Sequence, residues 1–108
     1  MKFLEWENDR WLSKEGSILP YDKAEHALLA FLGVLLLSWM LPFTNQFPVE
    51  TNQMLIRSLG VAWEIYNGIA TYDGVNVQGF SWKDLIANEA GLRIAGDFIF
   101  VMSLAHGA

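Results

Sequence analysis

The sequence predicts an all-α integral membrane protein with three transmembrane helices and an N-terminal interfacial segment. Three observations carry this. Of 108 residues, 53% are apolar and only 18% charged, and the apolar ones fall in blocks instead of spreading along amphipathic elements, a pattern that suits lipid better than water. One block, Asp22 to Leu41, keeps its charges in the first turn or so. Two further stretches, 54–72 and 82–104, are long enough to cross a bilayer.

Each element has its own signature. Residues 1–21 form the interfacial segment: Met1 to Leu12 alternates apolar and charged positions, and on a helix Phe3, Trp6 and Trp11 would come near one another on the membrane surface. The first span, 22–41, is uninterrupted from Ala27 to Leu37 by anything more polar than Gly33, and Pro42 ends it. At 1.5 Å per residue it reaches about 30 Å, one hydrocarbon thickness. From Pro42 to Gln53 the residues Asn45, Pro48, Thr51 and Asn52 read as a loop. The second span, 54–72, contains Arg57, Glu64 and Asn67. Asp73, Gly74 and Gly79 then mark a turn, and Ser81 opens the third span, 82–104, with Trp82 at the interface and an apolar run from Ile94 to Leu104. The chain has room for one domain.

Composition also excludes. A formal net charge of −5, with seven basic residues scattered among twelve acids, is wrong for nucleic acid, which needs clustered Lys and Arg. With no cysteine there is no disulfide framework, thiolate nucleophile or Cys-ligated metal. Glu5, Glu7, Asp9 and Glu15 precede the first apolar run where a signal peptide would be basic, so that run is expected to stay in the mature protein. Lys2, Arg10 and Lys14 precede the first span and Lys23 sits in its first turn, Lys83 sits at the start of the third on the same side, and the other loop has no Lys or Arg. The positive-inside bias therefore places the N-terminus in the cytoplasm and His106 on the far side.

Overlaying the ionisable residues on this topology is the informative step, because a charge inside a span is costly and is kept where it has a partner or a task. Asp22 and His26, four apart, share a face at the cytoplasmic start of the first helix. The second helix returns to that side with Glu64 and Asn67 in its last turns and Asp73 just beyond, and the third starts there with Asp84 and Asn88. Asp22, His26, Glu64, Asp84 and Asn88 form a candidate ligand set for a divalent metal; imidazole nitrogen and carboxylate oxygen suit zinc, iron or manganese, whereas magnesium prefers oxygens alone. Catalytic roles would fall to His26, Glu64 and Asp84. Without metal, His26 could act as a general base oriented by Asp22, beside Glu64.

Every one of these residues also has a structural reading. Asp22 with Glu25, and Ser81 with Asp84, match capping boxes at helix starts. A lone histidine is more often a hydrogen-bonding partner than a ligand. Arg57, seven residues before Glu64, is a candidate partner for it, and Arg93 and Asp97, four apart, read as an intrahelical ion pair. Gly60, Ala62 and Gly68, with Ala87, Gly91 and Ala95, supply small faces for close helix packing.

The order Asp22-Lys23-x-x-His26, then Gly60-x-x-x-Glu64-x-Tyr66, then Gly79-Phe80-Ser81-Trp82-Lys83-Asp84-Leu85-x-Ala87-Asn88-x-x-Gly91 resembles the YfiM-like and VanZ-like membrane proteins of bacteria over roughly residues 22–96. The third block is the most specific. The resemblance implies that Asp22, His26, Glu64, Asp84 and Asn88 are the matching positions, in a bacterial cytoplasmic membrane and in cell-envelope chemistry. The chain departs from the pattern at Trp63, where such chains tend to have Lys, and at Asn67, where they tend to have Asp; it also lacks a lipoprotein Cys. Two functions follow. In one, the cluster binds a divalent metal or polar headgroup and acts on a lipid or isoprenoid-linked substrate. In the other, the chain is a non-catalytic accessory subunit of a larger membrane protein complex and the cluster is an internal hydrogen-bonded staple; the partners to expect are the bilayer and either such a complex or, against the subunit reading, a homo-oligomer. A transporter is a distant third, since three helices would have to oligomerise to form a pathway.

Overall fold

The computed structural model describes residues 1–9, 11, 22–72 and 79–105. The fold is all-helical, with three helices and no strand among these residues: α1 (Asp22–Leu35), continuing as a π-helical turn (Leu36–Met40), α2 (Val49–Tyr72) and α3 (Trp82–Ala105).

Local chemistry sets the ends. Leu41 turns to extended backbone (φ −89°, ψ 133°), as a residue before proline must. Its N–H still donates to Leu36 O at 3.1 Å, and Thr44 Oγ donates to the Leu37 carbonyl at 2.6 Å, satisfying a group the helix end would leave open. The helix α2 begins at Val49, five residues before the expected start. Pro48 supplies the carbonyl that accepts from Thr51 N at 3.0 Å and Asn52 N at 3.3 Å. Thr51 and Asn52, read from the sequence as loop chemistry, are therefore helical, and Asn52 turns inward, fully buried, donating to Ser38 Oγ at 3.0 Å and Thr44 O at 3.1 Å. Ser81 caps α3, its hydroxyl accepting from Asp84 N at 3.0 Å.

The helices run up, down and up. Ala27 of α1 lies against Gly91 of α3, and Phe31 meets Phe98 at 5.7 Å between ring centroids, so α1 and α3 are parallel. Ile56 of α2 packs on Gly33, and Gln53 Nε2 donates to Leu92 O at 2.8 Å, which makes α2 antiparallel to both. At Gly91 the approach is backbone to backbone: an added Cβ would overlap the Ala27 carbonyl oxygen and stand 2.9 Å from its carbon. Ala87, Gly91 and Ala95 are all buried on this seam, so the small face expected on α3 serves the α1 contact. On α2, Gly60 lies under Asn88 and Gly68 under Met1, while Ala62 is exposed.

The core is small: Ala30, Val34, Leu92 and Ala95, with Phe31, Ile56 and Ile99 packed on it. Most large apolar side chains, among them Leu29, Leu32, Met40, Leu59, Ile94 and Phe100, face outward. Of the three helices one, over Lys23–Met40, is long and apolar enough to cross a membrane; α2 and α3 carry Arg57, Glu64, Lys83, Asp84, Glu89, Arg93 and Asp97 along their lengths.

The N-terminal residues differ from the expected helix. Residues 1–9 are extended apart from a single 3-10 turn at Trp6–Asn8. Phe3 forms a parallel bridge with Phe80, through Leu4 N donating to Phe80 O at 2.7 Å and Phe80 N donating to Lys2 O at 2.9 Å. Phe3 therefore stacks on Trp82 (6.3 Å), while Trp6 meets Trp11 separately (6.2 Å). Gly79, at φ +82°, takes the left-handed conformation beside this strap.

Candidate functional site

At the end of the bundle where α1 and α3 begin and α2 finishes, polar side chains are buried. The sequence placed His26, Glu64 and Asp84 here as catalytic and metal-binding candidates, and the helices do bring them together: one ligand atom from each lies within 4.8 Å of the others. His26 Nε2 stands 3.2 Å from Asp84 Oδ2. Glu64, fully buried, accepts from Ser81 N at 3.0 Å through Oε1. Its second oxygen, Oε2, is buried with no hydrogen-bond partner among the described residues.

This arrangement splits a capping box between two helices. In the usual form the third helical residue would reach back to the N-cap amide. Here Ser81 bonds Asp84 N, as the sequence reading has it, but Glu64 of α2 takes the Ser81 N–H. The Asp84 carboxylate is thereby released from capping and faces His26 and Lys23.

Of the remaining candidates, Asn88 is half-buried over Gly60, one turn along α2 from Glu64 and one turn deeper in the bundle than Asp84. Asp22 is the first residue of α1, but its side chain, like Asp73 and His106, lies outside the described residues.

Three participants, Lys23, Lys83 and Asp9, were not candidates from the sequence, and Ser81 was expected only as a helix cap. Lys23 Nζ bridges Asp9 Oδ1 at 2.7 Å and Asp84 Oδ1 at 2.6 Å. The Ser81 hydroxyl donates to Asp9 Oδ2 in a short hydrogen bond. Lys83 Nζ donates to Trp6 O at 3.0 Å and Asp9 O at 2.6 Å, and lies 4.4 Å from the Trp6 ring centroid. Lys23 and Lys83, which the positive-inside rule counts as solvated charges at the span ends, are both buried, because each has an anionic or carbonyl partner that offsets its desolvation. The D-K-x-x-H spacing did carry a signal for Lys23, since it sets the ammonium and imidazole on neighbouring positions of one helical turn. Asp9 had none.

The other sequence-level pairings also rearrange. Arg57 does not reach Glu64; it makes a bidentate pair with Glu89, both contacts at 2.8 Å. Arg93 pairs with Glu89 at 3.6 Å and not with Asp97. Glu89 lies one turn before Arg93 and is already anchored by Arg57, so it holds both guanidinium groups.

Electrostatically the described part of the site has two buried ammonium groups, Lys23 and Lys83, against three buried carboxylates, Asp9, Glu64 and Asp84. It therefore attracts one further positive charge, a proton or a metal cation. The donor set suits zinc, iron or manganese. Ligand atoms around a tetrahedral ion stand about 3.4 Å apart, so binding would draw in the widest pair by roughly an ångström and would compete with Lys23 for Asp84. Compared with known proteins, the chain matches no family model, no curated protein and no solved structure.

Proposed function

We propose that this chain is a small polytopic membrane protein of VanZ-like or YfiM-like type, with its N-terminus in the bacterial cytoplasm. Its His26, Glu64 and Asp84 centre, at the cytoplasmic membrane face, holds a divalent metal and works on a polar lipid headgroup in cell-envelope chemistry. The observation that carries the reading is Glu64 Oε2, which has no hydrogen-bond donor among the described residues and is buried beside an imidazole and a second carboxylate on two other helices. A buried oxygen with no donor is costly unless something occupies its lone pairs. The membrane part is supported by the apolar exterior: only 17% of the Lys23–Met40 window is buried within the chain, the reverse of a soluble core helix. Three crossings would also put all three ligands on one leaflet.

In this reading His26 Nε2, Glu64 Oε2 and an Asp84 oxygen hold the ion. When bound, it supplies Lewis acidity toward a phosphate oxygen. Ser81 N fixes the Glu64 carboxylate, and Lys23 holds Asp84 and the Asp9 strap in place. Metal content of protein purified in detergent tests the proposal against His26→Ala and Glu64→Gln. The expected result is about one zinc, iron or manganese ion per wild-type chain, falling at least about tenfold in each variant. Equal, negligible metal in all three overturns the metal centre.

A second reading, the accessory subunit, is favoured by one observation: Lys23 already bridges Asp9 and Asp84, as an internal staple would. Extraction in mild detergent followed by mass measurement separates the two. A heteromeric complex containing this chain supports the subunit, whereas a free monomer or homo-oligomer excludes it.

A further inference from the structure

The outward face of α3 carries a seam that none of the described residues covers. Ile86, Ala90, Arg93, Asp97, Phe100 and Leu104 follow one another at intervals of four, three, four, three and four, and all six are exposed. That is the a/d spacing of a two-stranded helical pairing, with Ala90, Asp97 and Leu104 at one set of positions and Ile86, Arg93 and Phe100 at the other. The opposite face, through Ala87, Gly91 and Ala95, is the one used against α1. The exposed seam is therefore a second, independent packing surface on the same helix.

Its centre is polar. The Arg93 side chain is 79% exposed and, among the described residues, its ion pair is with Glu89, at 3.6 Å. Asp97, one turn on, is exposed and makes no ion pair among the described residues. Beside the seam Arg57 of α2 neutralises Glu89, so the patch formed by these two with Arg93 and Asp97 holds two cations and two anions. In the proposed membrane setting Arg93 would lie near the bilayer midplane, where an uncovered guanidinium is strongly disfavoured.

We infer that α3 pairs with α3 of a second copy of this chain, parallel and about a two-fold axis along the bundle. A neutral, self-complementary face suits a second copy, since each copy then offers the same patch. Arg93 of each copy reaches Asp97 of the other, a rise of about 6 Å along the helix. Two such pairs form at the centre, flanked by Ile86 and Ala90 on one side and Phe100 and Leu104 on the other. The charged layer fixes the register, as a buried polar layer does in coiled coils. The charge argument rests on the membrane reading, whereas the spacing stands without it.

The absence of cysteine makes oxidative cross-linking clean. Single variants Ala90→Cys and Leu104→Cys on the seam, with Leu29→Cys on α1 and Leu59→Cys on α2 as outward-facing controls, are oxidised in native membranes. The expected result is a cross-linked homodimer from positions 90 and 104 and none from 29 or 59. In the Ala90→Cys background, Arg93→Asp and Asp97→Arg each reduce the dimer about tenfold, and the two together restore it. Cross-linking at 29 or 59 as efficient as at 90, loss of dimer without rescue by the charge swap, or a monomer throughout overturns the proposal. A carbonate wash reads the membrane part separately: release from membranes with the same cross-linking pattern refutes the bilayer setting and leaves the pairing standing.

Discussion

Single residues hold this bundle at two kinds of place, a backbone contact and a charge bridge. Gly91 is the first kind. A methyl group there would overlap the Ala27 carbonyl, and since both partners are backbone no side chain can move to make room. Gly91→Ala is expected to destabilise the protein by about 3 kcal/mol, at the upper end for overpacked sites, read as a fall in melting temperature in detergent. Lys23 is the second kind: its ammonium is buried between Asp9 and Asp84. Lys23→Met would leave two carboxylates facing each other without the cation, at a cost of about 3–5 kcal/mol, and an unchanged unfolding midpoint would refute the bridge. That His26, Glu64 and Asp84 fall at one end of the bundle was legible from their places in the helices, but the contact of His26 with Asp84 was not, since the spacing alone sets His26 beside Asp22. Asp9 was not, because an extended strap has no periodicity that tells which of its side chains is turned inward.

At the scale of elements, the three helices could be read from their apolar runs, and the ends of α1 and α3 from Pro42 and Ser81. The start of α2 could not: Thr51 and Asn52 have loop propensities, and the Pro48 carbonyl together with the buried contacts of Asn52 with Ser38 and Thr44 holds them in a helix. The cap of α3 has a double role, fixing both the helix start and the Asp9 strap. Ser81→Ala is therefore expected to cost about 1 kcal/mol for the cap and also to loosen residues 1–9. Hydrogen exchange would show this as faster exchange at the Asp84 and Leu4 amides, with the middle of α3 unchanged. Faster exchange at Asp84 alone would mean that the strap is held without Ser81.

For the whole molecule, the up-down-up order was legible from chain length and turn signals, whereas the number of crossings depends on what α2 and α3 do with their charges. Side-specific labelling of single cysteines decides it. With three crossings, Glu5→Cys and Trp82→Cys react from the cytoplasmic side, and Asn45→Cys and Ala105→Cys from the other. If α1 alone crosses, the position at 82 joins those at 45 and 105. The buried lysines explain why charge counting is a weak guide to orientation here: Lys23 and Lys83 are committed to Asp9, Asp84 and backbone carbonyls and do not advertise a compartment.

The contact of Gly91 with Ala27 has a mechanical corollary. Two helices clasped backbone to backbone cannot slide past one another without breaking the clasp, so α1 and α3 behave as a fixed jaw carrying His26 and Asp84. The helix α2 is joined to them through side chains, Gln53 to the Leu92 carbonyl and Arg57 to Glu89, so a change in the width of the centre is expected to fall on α2 and its Glu64. A spin-label distance from α2 to α3 should broaden or shift when cation is added, while the distance from α1 to α3 stays constant.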